Sequence, residues 1–404
     1  MLVVMVRLLG VATALSLCAC YHPSFRDCAV SCESGNGCPD GLTCDMGSKL
    51  CTTQGTSCPI GGGDAMADVD TSCWPLAPSN FGPCATSFPP SIGSLSIDVA
   101  DIMQDSSSHA CDYTFNGVSY CLLHVTSMTV TTGRTYTVMG TRPVIIASDG
   151  DIIIDGTVKA SFVGGPVAGC TATAGGISTA YGAGGGGGGN GTQGAAGGDG
   201  DGPAGSGGAA LGDATLVPLV MGCPGASGGT GGGVAGGGAG SGGGAIELSS
   251  KTRVKIGGVV LACGAGGRGG IDGSVRASGG GGGGAGGSLL LEAPMVEVAT
   301  GSQVCAVGGG GGAGGISNGS GAGPDGNDGV GCGVATGGNL GANPPVGNGG
   351  NGGIDLDSAS QPTAGLAMSS PYAAGGGGGA AGRIRIHAIT RLTGGTIKPT
   401  PPAM

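Results

Sequence analysis

Four stretches of the chain share one pattern of apolar and polar positions. They are PVIIASDGDIIIDGTVKAS (143–161), AIELSSKTRVKIGGVVLACG (245–264), SLLLEAPMVEVATGSQVCAVG (288–308) and RIRIHAITRLTGGTIKPT (383–400). Each reads as a short alternating strand, a polar turn, a second alternating strand, a tight turn containing glycine, and a third strand. The tight turns are Asp155-Gly156, Gly257-Gly258, Thr300-Gly301 and Gly394-Gly395, so the third strands start at Thr157, Val259, Ser302 and Thr396. In the second stretch Ile246, Leu248, Val254 and Ile256 take one parity while Glu247, Lys251, Arg253 and Lys255 take the other, which buries one face and wets the other. So short a block cannot bury its apolar face alone, but stacked copies can. The pattern predicts an all-β chain: a right-handed parallel β-solenoid over residues 91–404, with TSMTVTTGRTYTVMG (126–140) as an earlier, partly capping rung.

Glycine fills the gaps between these blocks, supplying 100 of 404 residues. Its runs are irregular, which excludes collagen. All three insertions, 162–244, 265–287 and 309–382, leave after a third strand, so glycine-rich arms are expected to project from one edge. Without side chains, extended polyglycine can pack helix against helix through backbone hydrogen bonds, against glycine's entropy cost.

The first nineteen residues, with Arg7 and an apolar run from Leu8 to Leu17, read as a signal peptide. Leu17, Ala19 and Cys20 resemble a bacterial lipobox, with Cys18 as an alternative register, and the resemblance implies lipidation of Cys20. Tyr21 follows, in place of the aspartate that retains such lipoproteins at the inner membrane. Outer-membrane or cell-surface placement, anchored in the membrane by lipid, is implied.

Seventeen cysteines suit an exported, oxidising setting. With Cys18 and Cys20 set aside the remainder is odd, so at least one is unpaired or intermolecular. Cys28, Cys32, Cys38, Cys44, Cys51 and Cys58 crowd into a module at 20–59 that is too small to bury a core, and disulfides are expected to supply the constraint. No CxxC occurs in it to suggest zinc. A linker is expected over 60–90, where Cys73 and Cys84 could close a proline-rich loop. CDYTFNGVSYC predicts a hairpin; a three-residue loop with Gly117 left-handed places Cys111 opposite Cys121 for a disulfide.

CPDGLTCDMGSKLC resembles the cysteine-rich modules that follow the anchor in many myxobacterial lipoproteins, and TRPVIIASDGDIIIDGTVKAS followed by a glycine run resembles their secreted glycine-rich repeat proteins over residues 120–404. The glycine runs alone are similar to mycobacterial PGRS surface proteins, whose N-terminal helical domain has no counterpart here. Neither resemblance brings an activity to particular residues.

Candidate chemistry is sparse. GxSxG strings around Ser227 and Ser317 lie in arms, without the strand and helix of a nucleophile elbow. His22, His109, His124 and His387 are scattered. GGRGGID and GGNGGID place Ile271 and Ile354 where a calcium-binding nonapeptide needs aspartate, and Asp325, Asn327 and Asp328 lack the spacing of an EF-hand. Asp149, Asp151 and Asp155 read as turn caps. The sharpest surface feature is a basic stripe, Lys251, Arg253 and Lys255 on one strand and Arg383 and Arg385 on another, suited to an anionic ligand if the rungs stack in register. A net charge of −10 argues against nucleic acid. The sequence therefore leads to a non-catalytic surface lipoprotein without metal or cofactor, structural or adhesive in the envelope. The alternative is a β-helix protein that binds or cleaves envelope or extracellular polysaccharide.

Overall fold

The computed structural model describes residues 32, 38, 41–45, 50–53, 73–84, 88–163, 167–319, 321–342 and 346–402. The chain divides into two units, 1–71 and 72–404. In the first, β1 (Thr43–Asp45) and β2 (Leu50–Thr52) pair antiparallel, with Cys32–Cys44 and Cys38–Cys51 disulfides beside them.

The second unit is all-β and mostly parallel. It opens with β3 (Ser94–Ile97) and β4 (Ile102–Asp105), then a hairpin of β5 (Asp112–Phe115) and β6 (Val118–Val125), followed by β7 (Ser127–Val130) and β8 (Thr135–Gly140). The first repeat supplies β9 (Val144–Ser148), β10 (Ile152–Ile154) and β11 (Thr157–Phe162), and the second β12 (Ala245–Ser250), β13 (Arg253–Ile256) and β14 (Val259–Leu261). The third supplies β15 (Ser288–Val298) and β16 (Gln303–Cys305), and the fourth β17 (Arg383–Thr393) and β18 (Thr396–Lys398).

Successive repeats pair in parallel and in register along three rows. Cys121, Val144, Ile246, Leu289 and Ile384 align in the first row, and Met128, Ile152, Val254 and Val296 in the second. Tyr136, Val158, Val260, Val304 and Ile397 align in the third. These aligned residues form one continuous core. The stacking explains why such short strands suffice: each aliphatic side chain is buried by its counterparts above and below.

Three local details differ from the sequence reading. The third repeat begins its third strand at Gln303, not Ser302, because four residues, 299–302, turn the corner where the other repeats use two. In the third and fourth repeats no polar turn separates the first two strands; β15 and β17 each run through both rows. An extra pair of strands, β3 and β4, lies beyond β7 and β8 and is not legible in the sequence as a repeat.

The arms are ordered by their own backbone. Along 279–287 successive N–H groups donate to the carbonyls of Gly229, Ala374, Arg268, Ala226, Gly377, Ala265, Cys223, Ala380 and Ala262, a three-residue rotation among three neighbouring segments. Its carbonyls accept from three others: Gly237, Gly240 and Gly243; Gly185 and Gly188; Gly312 and Gly309. Six neighbours around one extended helix of three residues per turn make a lattice in which peptide groups are the packing surface. A Cβ built on Gly283 would lie 2.2 Å from the Gly309 carbonyl oxygen. The arms do not all project. Residues 211–221 of the first arm return over the outer face of the first row, burying Leu216 and Leu219. Residues 73–84, expected as linker, belong to this unit and cover the same face, burying Trp74 and Phe81.

Leu248→Ala in the aligned core should cost about 2–5 kcal/mol. Gly283→Ala should cost at least the ~1–3 kcal/mol of an overpacked core, although it adds only a methyl group. Gly319→Ala, in open space at φ +77°, should cost about 1–2 kcal/mol by its backbone strain alone. Denaturant unfolding of the three variants checks the order.

Candidate functional site

Two rows of outward-facing residues in the first row of strands build the most chemically loaded region. Leu122, Ile145, Glu247, Leu290 and Arg385 align in one, and His124, Ala147, Ser249, Glu292 and His387 in the other. Their lower part is apolar and, with Tyr120, packs under Trp74 and Phe81, whose rings meet edge-on at 5.1 Å. Their upper part is a carboxyl cluster. Glu247 is 0% exposed and Glu292 2%. The covering loop, closed by Cys73–Cys84, supplies the donors: Ser79 N (3.0 Å) and Ser79 Oγ (2.5 Å) to Glu292, and Asn80 Nδ2 to Glu247 (2.9 Å) and to the Leu216 carbonyl (3.0 Å). Tyr120 Oη donates to Asn80 Oδ1, His387 Nδ1 lies 3.0 Å from Glu292, and Arg385 Nη1 donates to Ser79 Oγ and to the Thr215 carbonyl.

Burial, then the facing Glu292 charge and hydrogen bond, pushes the Glu247 carboxyl well above its ordinary range. Burial also acts to raise Glu292, but hydrogen bonds from His387, Glu247 and Ser79 outweigh it and hold Glu292 low. The pair therefore keeps a proton on Glu247, whose Oε1 is buried without a hydrogen-bond partner. Burial pushes the Tyr120 phenol up to about 12, so it stays a neutral donor.

The expected basic stripe does not form. Arg383 and Arg385 stand over Ala245 and Glu247 in the first row, whereas Arg253 and Lys255 align with Met295 and Glu297, then Thr390 and Leu392, in the second. Strand parity holds, but Arg383 and Arg385 open β17 and so fall in the first row, whereas Arg253 and Lys255 belong to the second. Most of the charges are also engaged. Lys251 pairs with Asp149 (2.8 Å) above the Trp74 ring, Arg253 pairs with Asp151 (2.7 Å), and Arg383 donates to the Leu211 carbonyl (3.2 Å). Lys255 is half-buried on the second row. Asp149 and Asp151 are thus counter-ions between repeats, and Asp149 also holds His124 at 3.0 Å.

Among the sequence-predicted cysteines, Cys73–Cys84 and Cys111–Cys121 are bonded as well as the two pairs in the first unit. Cys20, Cys28 and Cys58 lie outside the described residues. The hairpin departs from expectation. Phe115 pairs with Val118, leaving a two-residue turn with Asn116 and Gly117 both at positive φ, 49° and 78°. That turn matches the twist of the flanking strands. The strand partner of Cys121 is then Asp112, and Cys111 reaches its disulfide from the end of a 3-10 turn, His109–Cys111. Sequence reasoning missed Cys170–Cys223 and Cys305–Cys332, each joining an arm residue to a distant segment. Among the described residues Cys263 is the free cysteine; burial pushes its thiol up to about 11. It lines a cleft of about 410 Å³ with Lys159, Ser161, Ser241 and Asp328. The close sulfurs of Cys32, Cys38 and Cys44 belong to two adjacent disulfides.

At the lattice edge, polar side chains take the place of a missing neighbour. Asp325 accepts from Gly269 N and Asp328 from Gly266 N, both at 2.8 Å, and Asn351 Oδ1 accepts from Gly337 N at 2.9 Å. The lattice turns meet at one end. Ser178 bridges Gly231, Tyr181 bridges Ala277, Ile316 bridges Tyr372, and Tyr181 Oη contacts Ser317 Oγ (3.1 Å) and Ser370 Oγ (2.9 Å). This tip exposes Ile177 (78%), Val275 (76%) and Ile271 (45%).

Asp355, just after Ile354, accepts from Lys398 Nζ (2.7 Å), Thr400 N (2.9 Å) and Thr400 Oγ1 (2.8 Å), tying the third arm to the last strand. Burial opposes ionisation, but these bonds dominate and lower its pKa from the ordinary 3.8 to about 2. A lowered carboxyl stabilises the fold above its unfolded value, and that gain is lost as pH falls through the folded one. Thermal melts of the wild type should therefore lose stability between pH 3.8 and about 2 that Asp355→Asn does not lose. Compared with known protein families, curated proteins and solved structures, the chain finds no match.

Proposed function

We propose that this chain is a non-catalytic, lipid-anchored protein of the outer membrane or cell surface. Its parallel rows are the faces of a right-handed β-solenoid, the hand that connections between parallel strands adopt in about 98% of cases. Its polyglycine lattice is a stiff spacer with a structural or adhesive role in the envelope.

The observation that carries this reading is where the side chains lie in the arms. The lattice interior is glycine and alanine joined by peptide hydrogen bonds, and Ile177, Tyr181, Val275, Ser317 and Tyr372 form a cluster of larger side chains at its turning end, apart from Val330 and Val334 elsewhere on the third arm. A body with almost no side chains offers little recognition chemistry along its length, so contact falls to the tip. Anchorage rests on Leu17, Ala19 and Cys20.

Cells displaying the chain should aggregate more than cells lacking it. Ile177→Asp with Val275→Asp should remove that gain without changing the melting temperature, and Cys20→Ser should release the protein from the membrane fraction. Aggregation unchanged by the tip variant would refute the adhesive reading, and release of reducing ends from envelope glycans would establish an enzyme instead.

A further inference from the structure

The carboxyl cluster under the 73–84 loop plays no part in a surface role, yet it fastens two covering segments to one sheet. We infer that Glu247 and Glu292 form a proton-operated latch: one shared proton keeps 73–84 and 211–221 closed over the outer face of the first row, and its loss loosens them.

The geometry leaves few alternatives. Glu247 Oε2 is occupied by Asn80 Nδ2, its Oε1 is buried without a hydrogen-bond partner, and the Glu292 carboxyl, held by the neighbouring Ser79 of the same loop, is close enough to act on its ionisation. Two carboxylates cannot bond each other without a proton between them, and two like charges enclosed together repel strongly. The loop is fastened through these groups, by Asn80 to Glu247 and by Ser79 to Glu292. Residues 211–221 join through Asn80 to the Leu216 carbonyl and through Arg385 to the Thr215 carbonyl.

The surrounding charges come from several elements. β17 contributes His387 and Arg385, β6 contributes Tyr120, and the 211–221 segment contributes Asp213 beside Arg383. Residues 73–84 carry no charged side chain. Farther down the same face lies the separate group of His124, Asp149 and Lys251.

Opening admits water and returns both carboxyls toward ordinary behaviour. Glu247 then binds its proton in the closed state and releases it in the open one, from the ordinary 4.5 up to its raised value, so rising pH favours opening. Glu292, held low, acts in the opposite sense below 4.5.

Trp74, the single tryptophan, lies within the 73–84 cover, is 6% exposed and reports its position. In the full mature chain at low urea, opening read from Trp74 emission should rise about tenfold per pH unit above the ordinary carboxyl range, the slope of one proton. Glu247→Gln, whose amide donates to Glu292 without titrating, should remove that slope, and His124→Gln should leave it. A pH-indicator measurement on the wild type, made within the pH interval over which Trp74 emission shows that slope, should find one proton released per opening. Equal slopes in the wild type and Glu247→Gln, or opening without proton release, would overturn the latch; the second measurement stands even where the variant does not fold.

Discussion

A peptide group enclosed by other peptide groups must find its hydrogen-bond partners among them, and every neighbour must come close enough to serve. Inside the polyglycine lattice that demand leaves no room for a side chain larger than an occasional methyl. Residues 279–287 satisfy nine consecutive N–H groups on three neighbouring segments, and across the lattice a Cβ on most glycines would fall within about 2 Å of a carbonyl oxygen. The glycine content is thus the consequence of a packing arrangement, in which rows of peptide groups take the part that interlocking side chains take elsewhere.

The lattice and the sheets share one register. Gly244, Gly287 and Gly382 each lead directly into the first strand of a repeat, and the ladder continues across the junction, from Ser288 N to the Gly244 carbonyl and from Arg383 N to the Gly287 carbonyl. Apolar alignment in the strands therefore helps set the height of the glycine segments, which have no side chains to specify it. The disulfides missed in the sequence act at the same level: Cys170–Cys223 spans much of the first arm, and Cys305–Cys332 ties the third arm to its strand. Linking distant points restricts the unfolded chain most where glycine leaves it most freedom.

The repeats are legible because their signal is local, with alternating aliphatics and a tight turn at constant spacing. Parity is legible too, and it assigns Ile246, Leu248, Val254 and Ile256 to the interior. Which row a residue occupies is not. Equal parity makes Arg383 and Arg385, which open the fourth repeat in the first row, read as one stripe with Arg253 and Lys255, which lie in the second strand of theirs. The covering segments are hidden for another reason. Residues 73–84 are rich in proline, and 211–221 lie between glycine runs, so neither shows a period; only the three-dimensional meeting of Trp74, Phe81, Leu216 and Leu219 reveals a second core. Glu247 reads as a wet position by parity and is completely buried, because that face is covered by chain from elsewhere.

Burying that face creates an electrostatic problem that an ordinary apolar cover would not have. Two glutamates in neighbouring repeats lie under a loop that carries no charge, and the basic groups of the fourth repeat, His387 and Arg385, are the ones that reach the cluster. Replacing a buried ionic cluster by apolar residues is often neutral or stabilising, so stability alone does not explain these residues. What they add is directional: Ser79 and Asn80 fit one position of the loop over the sheet, whereas Trp74 and Phe81 could be buried in several. In this molecule apolar area closes the cover, and the carboxyl pair determines where it closes and in which protonation state.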